Sequence, residues 1–163
     1  MLTKVFKIVA IVIVAALIIL QFFRIDRTNP AVVQAETLEA TLAVPPDING
    51  IIGRSCNDCH SNKTLYPWYS NVQPMAWFLK NHIDDGRQQM NFSIWKTYSA
   101  KKQSKKLEEI CEQLEAKEMP LPSYLWIHRD SILSDDNSKA LCDWAKMQKA
   151  KVDEGIATAA PSN

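Results

Sequence analysis

Cys56-Asn57-Asp58-Cys59-His60-Ser61-Asn62 is the stretch from which the rest of the chain is read. Two thiols separated by two residues lie about one helical turn apart, on the same side of a helix. That spacing suits two bonds to the vinyl groups along one edge of a porphyrin. The residue after the second thiol, His60, then offers its imidazole to the iron from the proximal side. Cys-x-x-Cys-His is the signature of covalent c-type haem attachment, with Cys56 and Cys59 as the attachment points and His60 as the proximal ligand. Three other readings compete. A thioredoxin-like redox pair belongs at a helix start after a strand, and no convincing alternating strand is found. Half a zinc site would force adjacent Cys59 and His60 onto one tetrahedral ion, with no second Cys pair at the usual spacing. Two structural cysteines is the remaining alternative.

The chain ahead of this motif is strongly uneven. The run from Val5 to Phe23 has only Lys7 and Gln21 as polar residues, and the 13 residues from Ile8 to Leu20 are unbroken apolar. Nineteen helical residues span about 28 Å, close to the roughly 30 Å of a bilayer core. Lys4 and Lys7 precede the run, and Arg24 and Arg27 follow it. A cleaved signal peptide is the alternative, with Val33-Gln34-Ala35 as an acceptable small-residue site. Ala35 lies 12 residues past Phe23, farther than a signal peptidase usually reaches, so the reading is an uncleaved anchor. Residues 1–27 are thus assigned to a membrane anchor. Residues 28–49, with three Pro and no strong period, are assigned to a linker. Residues 50–152 form the haem-binding domain and residues 153–163 a flexible tail.

The 163 residues amount to about one domain. Hydrophobic residues make up 47% and charged residues 23%, ordinary for a globular chain. The net charge of +1 gives no argument for nucleic-acid binding. Four Cys do not make a disulfide-dense scaffold at this length. Helices are expected before Cys56, over residues 75–85 with Gly86 as the stop, from about Ser93, along Leu107, Ile110, Cys111 and Leu114, and from Ser134 to about Lys151. The fold class is therefore all-α: an N-terminal transmembrane helix and a small c-type haem domain of four or five helices with long aromatic loops.

A proximal His leaves the other face of the iron to be filled or left open. Met119 leads the candidates, because Pro120 and Pro122 place it on a stiff, non-helical segment. His82, His128, Met75 and Met90 are its rivals. Trp68, Trp77 and Trp95 are candidates to pack on the porphyrin, and Arg87, or else Arg54, to pair with a propionate. Cys111, on an apolar stripe, reads first as a small buried hydrophobe. Its pairing with Cys142 stays open, since sequence does not establish the geometry.

These residues resemble the bacterial haem-binding domain family of small exported proteins. The likeness runs from Cys56-Asn57-Asp58-Cys59-His60-Ser61-Asn62 through Tyr66-Pro67-Trp68-Tyr69-Ser70 and Pro74-Met75-Ala76-Trp77. It continues in Gly86-Arg87, Asn91-Phe92-Ser93-Ile94-Trp95, Glu118-Met119-Pro120 and Tyr124-Leu125-Trp126-Ile127-His128. It also takes in Leu133-Ser134 and residues 141–145, covering roughly residues 45–148. The resemblance implies one covalent haem c on Cys56 and Cys59, with His60 as axial ligand, and strengthens Met119 as the distal one. It gives no support to a disulfide.

The function expected is that of a membrane-anchored monohaem c-type cytochrome. It would be single-pass in the inner membrane, with its haem domain in the periplasm and redox proteins as partners. Filled axial positions favour outer-sphere electron transfer over turnover of a small-molecule substrate. An open distal site would instead suit a haem-based sensor or a peroxidase-like enzyme.

Overall fold

The computed structural model describes residues 2–159, and helices are the only regular elements among them. The first, α1 (Leu2–Leu20), is long and apolar enough to cross a membrane, and none of it is buried against the rest of the chain. Four substantial helices follow: α3 (Pro46–Ser55), α5 (Met75–Gln89), α6 (Ala100–Glu115) and α8 (Asp135–Ala159). Single-turn helices α2 (Leu38–Thr41), α4 (Asn57–His60) and α7 (Pro122–Leu125) join them, with short 3-10 turns between.

The main core lies where α6, α8 and α3 meet. Leu107, Cys111 and Leu114 of α6 face Leu141, Cys142, Trp144 and Ala145 of α8, and Ile48, Ile51 and Ile52 of α3 close the layer. The i, i+4, i+7 spacing on α6 keeps its three residues on one stripe. Ser134 caps α8 as its sequence suggested, its Oγ accepting from the Asn137 amide at 3.1 Å. A smaller cluster of Tyr69, Leu79 and Ile83 sits on the buried side of α5.

Several expectations are corrected. Gly86 does not stop α5, which runs three residues further to Gln89. Ser93 does not start a regular helix. Asn91 caps a 3-10 stretch (Phe92–Thr97) instead, and α6 begins after Ser99, whose Oγ accepts from the Lys102 amide. The stretch 28–49, read as a linker, carries packed structure. Thr37 and Leu38 are fully buried, and Trp144 Nε1 donates to the Ala43 carbonyl at 3.0 Å, pinning the loop to α8. The Pro-rich composition here makes short turns against the core instead of a free tether. The tail is helical to Ala159, because Asp153 accepts from Ser104 Oγ at 2.6 Å and Lys149 Nζ at 2.9 Å. Residues 160–163 of that tail lie outside the described residues.

Cys111 and Cys142 form a disulfide. Cys111 is buried, as expected of a small hydrophobe, but the facing register of α6 and α8 brings its Cα to 4.6 Å from that of Cys142, within bonding range. The bond closes a loop with a sequence separation of 31 residues. Replacing both cysteines (Cys111→Ala with Cys142→Ala) should lower the unfolding free energy by about 3 kcal/mol, measured by denaturant titration, and leave haem attachment intact.

Candidate functional site

The motif is held in a single turn. Helix α3 ends at Ser55, and Cys56 breaks the run with φ −127° and ψ −39° before α4 begins. The Cys56 carbonyl then accepts from the amides of Cys59 at 3.2 Å and His60 at 2.9 Å. Cys56, Cys59 and His60 thereby line the same cavity, about 380 Å³ in volume, enclosed by α3, α4, α5 and α6 and the segment after α6. Its walls are mostly apolar, including Ile52, Phe92, Ile110, Leu121 and Leu133.

His60 is oriented from behind. Its Nδ1 lies 3.1 Å from the Met90 carbonyl, which can only accept, so Nδ1 carries the proton and Nε2 keeps the lone pair. Fixing the tautomer in this way is the usual preparation of a ligating imidazole. Burial holds the ring below its ordinary pKa, against the opposing pull of the Met90 and Gly86 carbonyls. Burial also raises the Cys56 thiol to about 12, helped by neighbouring Cys59, and the Cys59 thiol to about 11, helped by Asp58. Neither is the low-pKa thiolate of a disulfide-exchange centre.

Helix α5 must come very close for this to happen. A Cβ on Gly86 would stand 2.7 Å from the Cys59 carbonyl oxygen and 3.0 Å from its Cβ. Only glycine admits that approach, which is why this residue sits inside a helix despite its cost there. Arg87, one residue on, donates from Nε to the Ser61 carbonyl at 2.8 Å and from Nη2 to Asn29 and Thr64. The proposed propionate partner is thus a brace for the segment leaving His60 and is not on the cavity wall. Arg54 is also off the wall; its carbonyl accepts from Ser131 Oγ at 2.6 Å.

Met119 does line the cavity. It is delivered there by the stop of α6. Lys117 takes φ 56°, its amide donates to Leu114 O at 3.1 Å, and the Glu118 amide donates to Gln113 O at 3.0 Å. This is a Schellman termination with lysine in the left-handed position. Among the rivals, His82 and Met90 also reach the cavity. His128 does not: its Nε2 is 2.8 Å from the Tyr69 hydroxyl and its ring stacks on Tyr124 at 4.1 Å. Met75 is exposed at the start of α5.

The three tryptophans lie elsewhere. Trp68 is exposed and Trp95 fully buried in the main core, its ring 6.5 Å from that of Phe92, which does face the cavity. Trp77 donates from Nε1 to the Phe23 carbonyl at 3.1 Å. Aromatic content alone did not reveal which rings face the cavity. Two residues not singled out from sequence join the site. Asp58 accepts from the Leu65 amide at 3.0 Å and the Tyr124 hydroxyl at 2.8 Å, tying the motif to the segment after Met119. Asp58 sits inside the motif, and that was the available signal. The other, Lys106, lines the cavity beside its ion-pair partner Glu109.

A neutral imidazole with a free Nε2, two protonated thiols and a thioether lining one mostly apolar cavity fit a c-type haem by donor chemistry. Comparison with known proteins agrees on haem, without specifying its type. A family model described as a haem-binding domain matches residues 15–147. No curated relative and no solved structure matches.

Two substitutions probe this construction. Gly86→Ala should destabilise the domain by roughly 1–3 kcal/mol, because the new methyl meets backbone, and should reduce haem incorporation measured by pyridine haemochrome. Lys117→Gly should do the reverse for stability, relieving about 1 kcal/mol of left-handed strain and raising the melting temperature by roughly 3–5 °C.

Proposed function

The chain belongs to the haem-binding domain family, and we propose that it is a membrane-anchored monohaem c-type cytochrome that carries electrons on the periplasmic side of the inner membrane. The observation that carries this reading is the convergence of Cys56, Cys59, His60 and Met119 on one cavity. A bound haem c supplies an iron that alternates between ferrous and ferric states. Cys56 and Cys59 would anchor it through thioethers. His60 would hold the iron through Nε2, its ring fixed through Nδ1, and Met119 would supply the second ligand through its thioether. A tethered imidazole and a thioether on a segment held by the α6 stop both resist movement, and the cavity wall is mostly apolar. Both properties suit a centre that changes charge without changing ligands.

Attachment of haem c takes place outside the cytoplasm, which is why the haem domain is assigned to the periplasm. A signal sequence has the same length and apolarity as α1. The anchor is favoured because Gln21, Phe23, Arg27 and Asn29 all hydrogen-bond the haem domain, and because the family match begins at residue 15. The partners proposed are other redox proteins. A second reading, a sensor or peroxidase-like enzyme with a displaceable distal ligand, draws its support from His82, which also lines the cavity.

Absorption spectra of the full chain, produced with a cytochrome c maturation system, separate the two. Haem should survive denaturation bound to protein, and be lost when Cys56→Ala and Cys59→Ala are combined. The ferric protein should be low-spin with the red charge-transfer band of an iron–thioether bond. That band should vanish in Met119→Ala and persist in His82→Ala. A high-spin spectrum indifferent to Met119→Ala would sink the electron-carrier assignment in favour of the second reading.

A further inference from the structure

The junction between α1 and the haem domain is built as a joint, not left as a hinge. Gln21 and Gln73 exchange hydrogen bonds, the Gln73 amide donating to Gln21 Oε1 at 3.0 Å and Gln21 Nε2 to the Gln73 carbonyl at 3.1 Å. Gln73 Nε2 and Trp77 Nε1 both donate to the Phe23 carbonyl, at 2.9 Å and 3.1 Å. Arg27 bonds Asn71, and Asn29 Nδ2 donates to the Thr64 carbonyl at 2.9 Å. These bonds satisfy backbone groups at the end of α1 and fix the segment 68–78 beside it.

The same two segments leave large apolar side chains in the open. Phe22 is 82% exposed and Trp68 74%, and Phe23, Val72, Met75 and Phe78 are also exposed. Exposed apolar clusters of this kind mark contact with another apolar phase. Tryptophan at the end of a membrane helix belongs to the headgroup layer, where its ring meets lipid and its N–H finds an acceptor. Arg24 and Arg27, both exposed, stand where guanidinium groups reach headgroup phosphates.

We propose that the face carrying Phe22, Phe23, Trp68, Val72, Met75 and Phe78 lies in the interfacial layer of the bilayer that α1 crosses, so that the haem domain rests on the membrane in a fixed orientation. The proposal rests on the reading of α1 as a membrane span. The occupant is lipid because the face is continuous, by chain and by hydrogen bonds, with the one helix among the described residues that is long and apolar enough to cross a membrane.

Photo-crosslinking in vesicles of phosphatidylethanolamine and phosphatidylglycerol tests it with the full chain. The photoreactive residue p-benzoylphenylalanine is placed at position 13, 68, 78 or 147 in turn. Position 13 lies within α1. Position 147 is on α8, which packs against α6 and α3. Lipid-mass adducts at 13, 68 and 78, with none above background at 147, are expected. Adducts at 13 but not at 68 or 78 leave the span standing and overturn the docked face. Absence of adducts at 13 removes the span and, with it, the proposal. Equal adducts at 147 overturn it as well, since contact is then indiscriminate.

Discussion

The close contact between Gly86 and the Cys59 carbonyl is the constraint on which the site depends. A turn of four residues cannot hold two thiols and an imidazole in fixed positions by itself, because an isolated turn has too few internal hydrogen bonds to be stable. Helix α5 supplies the missing rigidity by lying against it. Once α5 is that close, the Met90 carbonyl at its end meets His60 Nδ1, and Arg87 reaches the chain leaving the motif. One absent side chain thus sets the depth at which the helix rides, and that depth fixes the imidazole.

Behind the motif runs a second layer of polar contacts that is fully buried. Asn91 Nδ2 donates to Asn62 Oδ1 at 2.8 Å, the Asn62 amide donates to Ser93 Oγ at 2.9 Å, and the Ser93 amide donates to Asn91 Oδ1 at 2.9 Å. A closed ring of this kind is costly to leave half made. It makes the segment after His60 and the turn before α6 a single unit. Phe92, on the cavity wall, lies between two members of this ring, Asn91 and Ser93, so the ring fixes the backbone on either side of it.

Much of this was legible in the residues. The motif brought Cys56, Cys59 and His60 together on one cavity, the prolines put Met119 outside a helix, the apolar stripes gave α6 and α8, and Ser134 gave a helix start. What was missed depends on distance between segments far apart in the chain. Gly86 reads as a stop because glycine after a helical run usually is one, and nothing local says that a carbonyl lies opposite. Arg87 reads as a partner for a propionate until Asn29 and Thr64 are brought to it across 58 and 23 residues. Trp68, Trp77 and Trp95 share a composition signal but occupy the surface, the α1 joint and the core. The packing of residues 37 and 38 was hidden because a single buried turn has no period to detect. The disulfide was hidden for a related reason: its register is a property of two helices and the loop between them.

That disulfide poses a sorting problem for the maturing chain. Four cysteines allow three ways of pairing, and two of them would join both α6 and α8 to the motif. If maturation takes place in an oxidising compartment, as the proposed function requires, one pair must be oxidised while Cys56 and Cys59 stay reduced for attachment. The α6–α8 hairpin offers a way through. Its two helices pack on one another along their apolar stripes, which holds Cys111 against Cys142. The two remaining thiols are then left with each other as the sole competing partner. Helix packing, and not the chemistry of sulfur alone, thereby leaves Cys56 and Cys59 as the free pair.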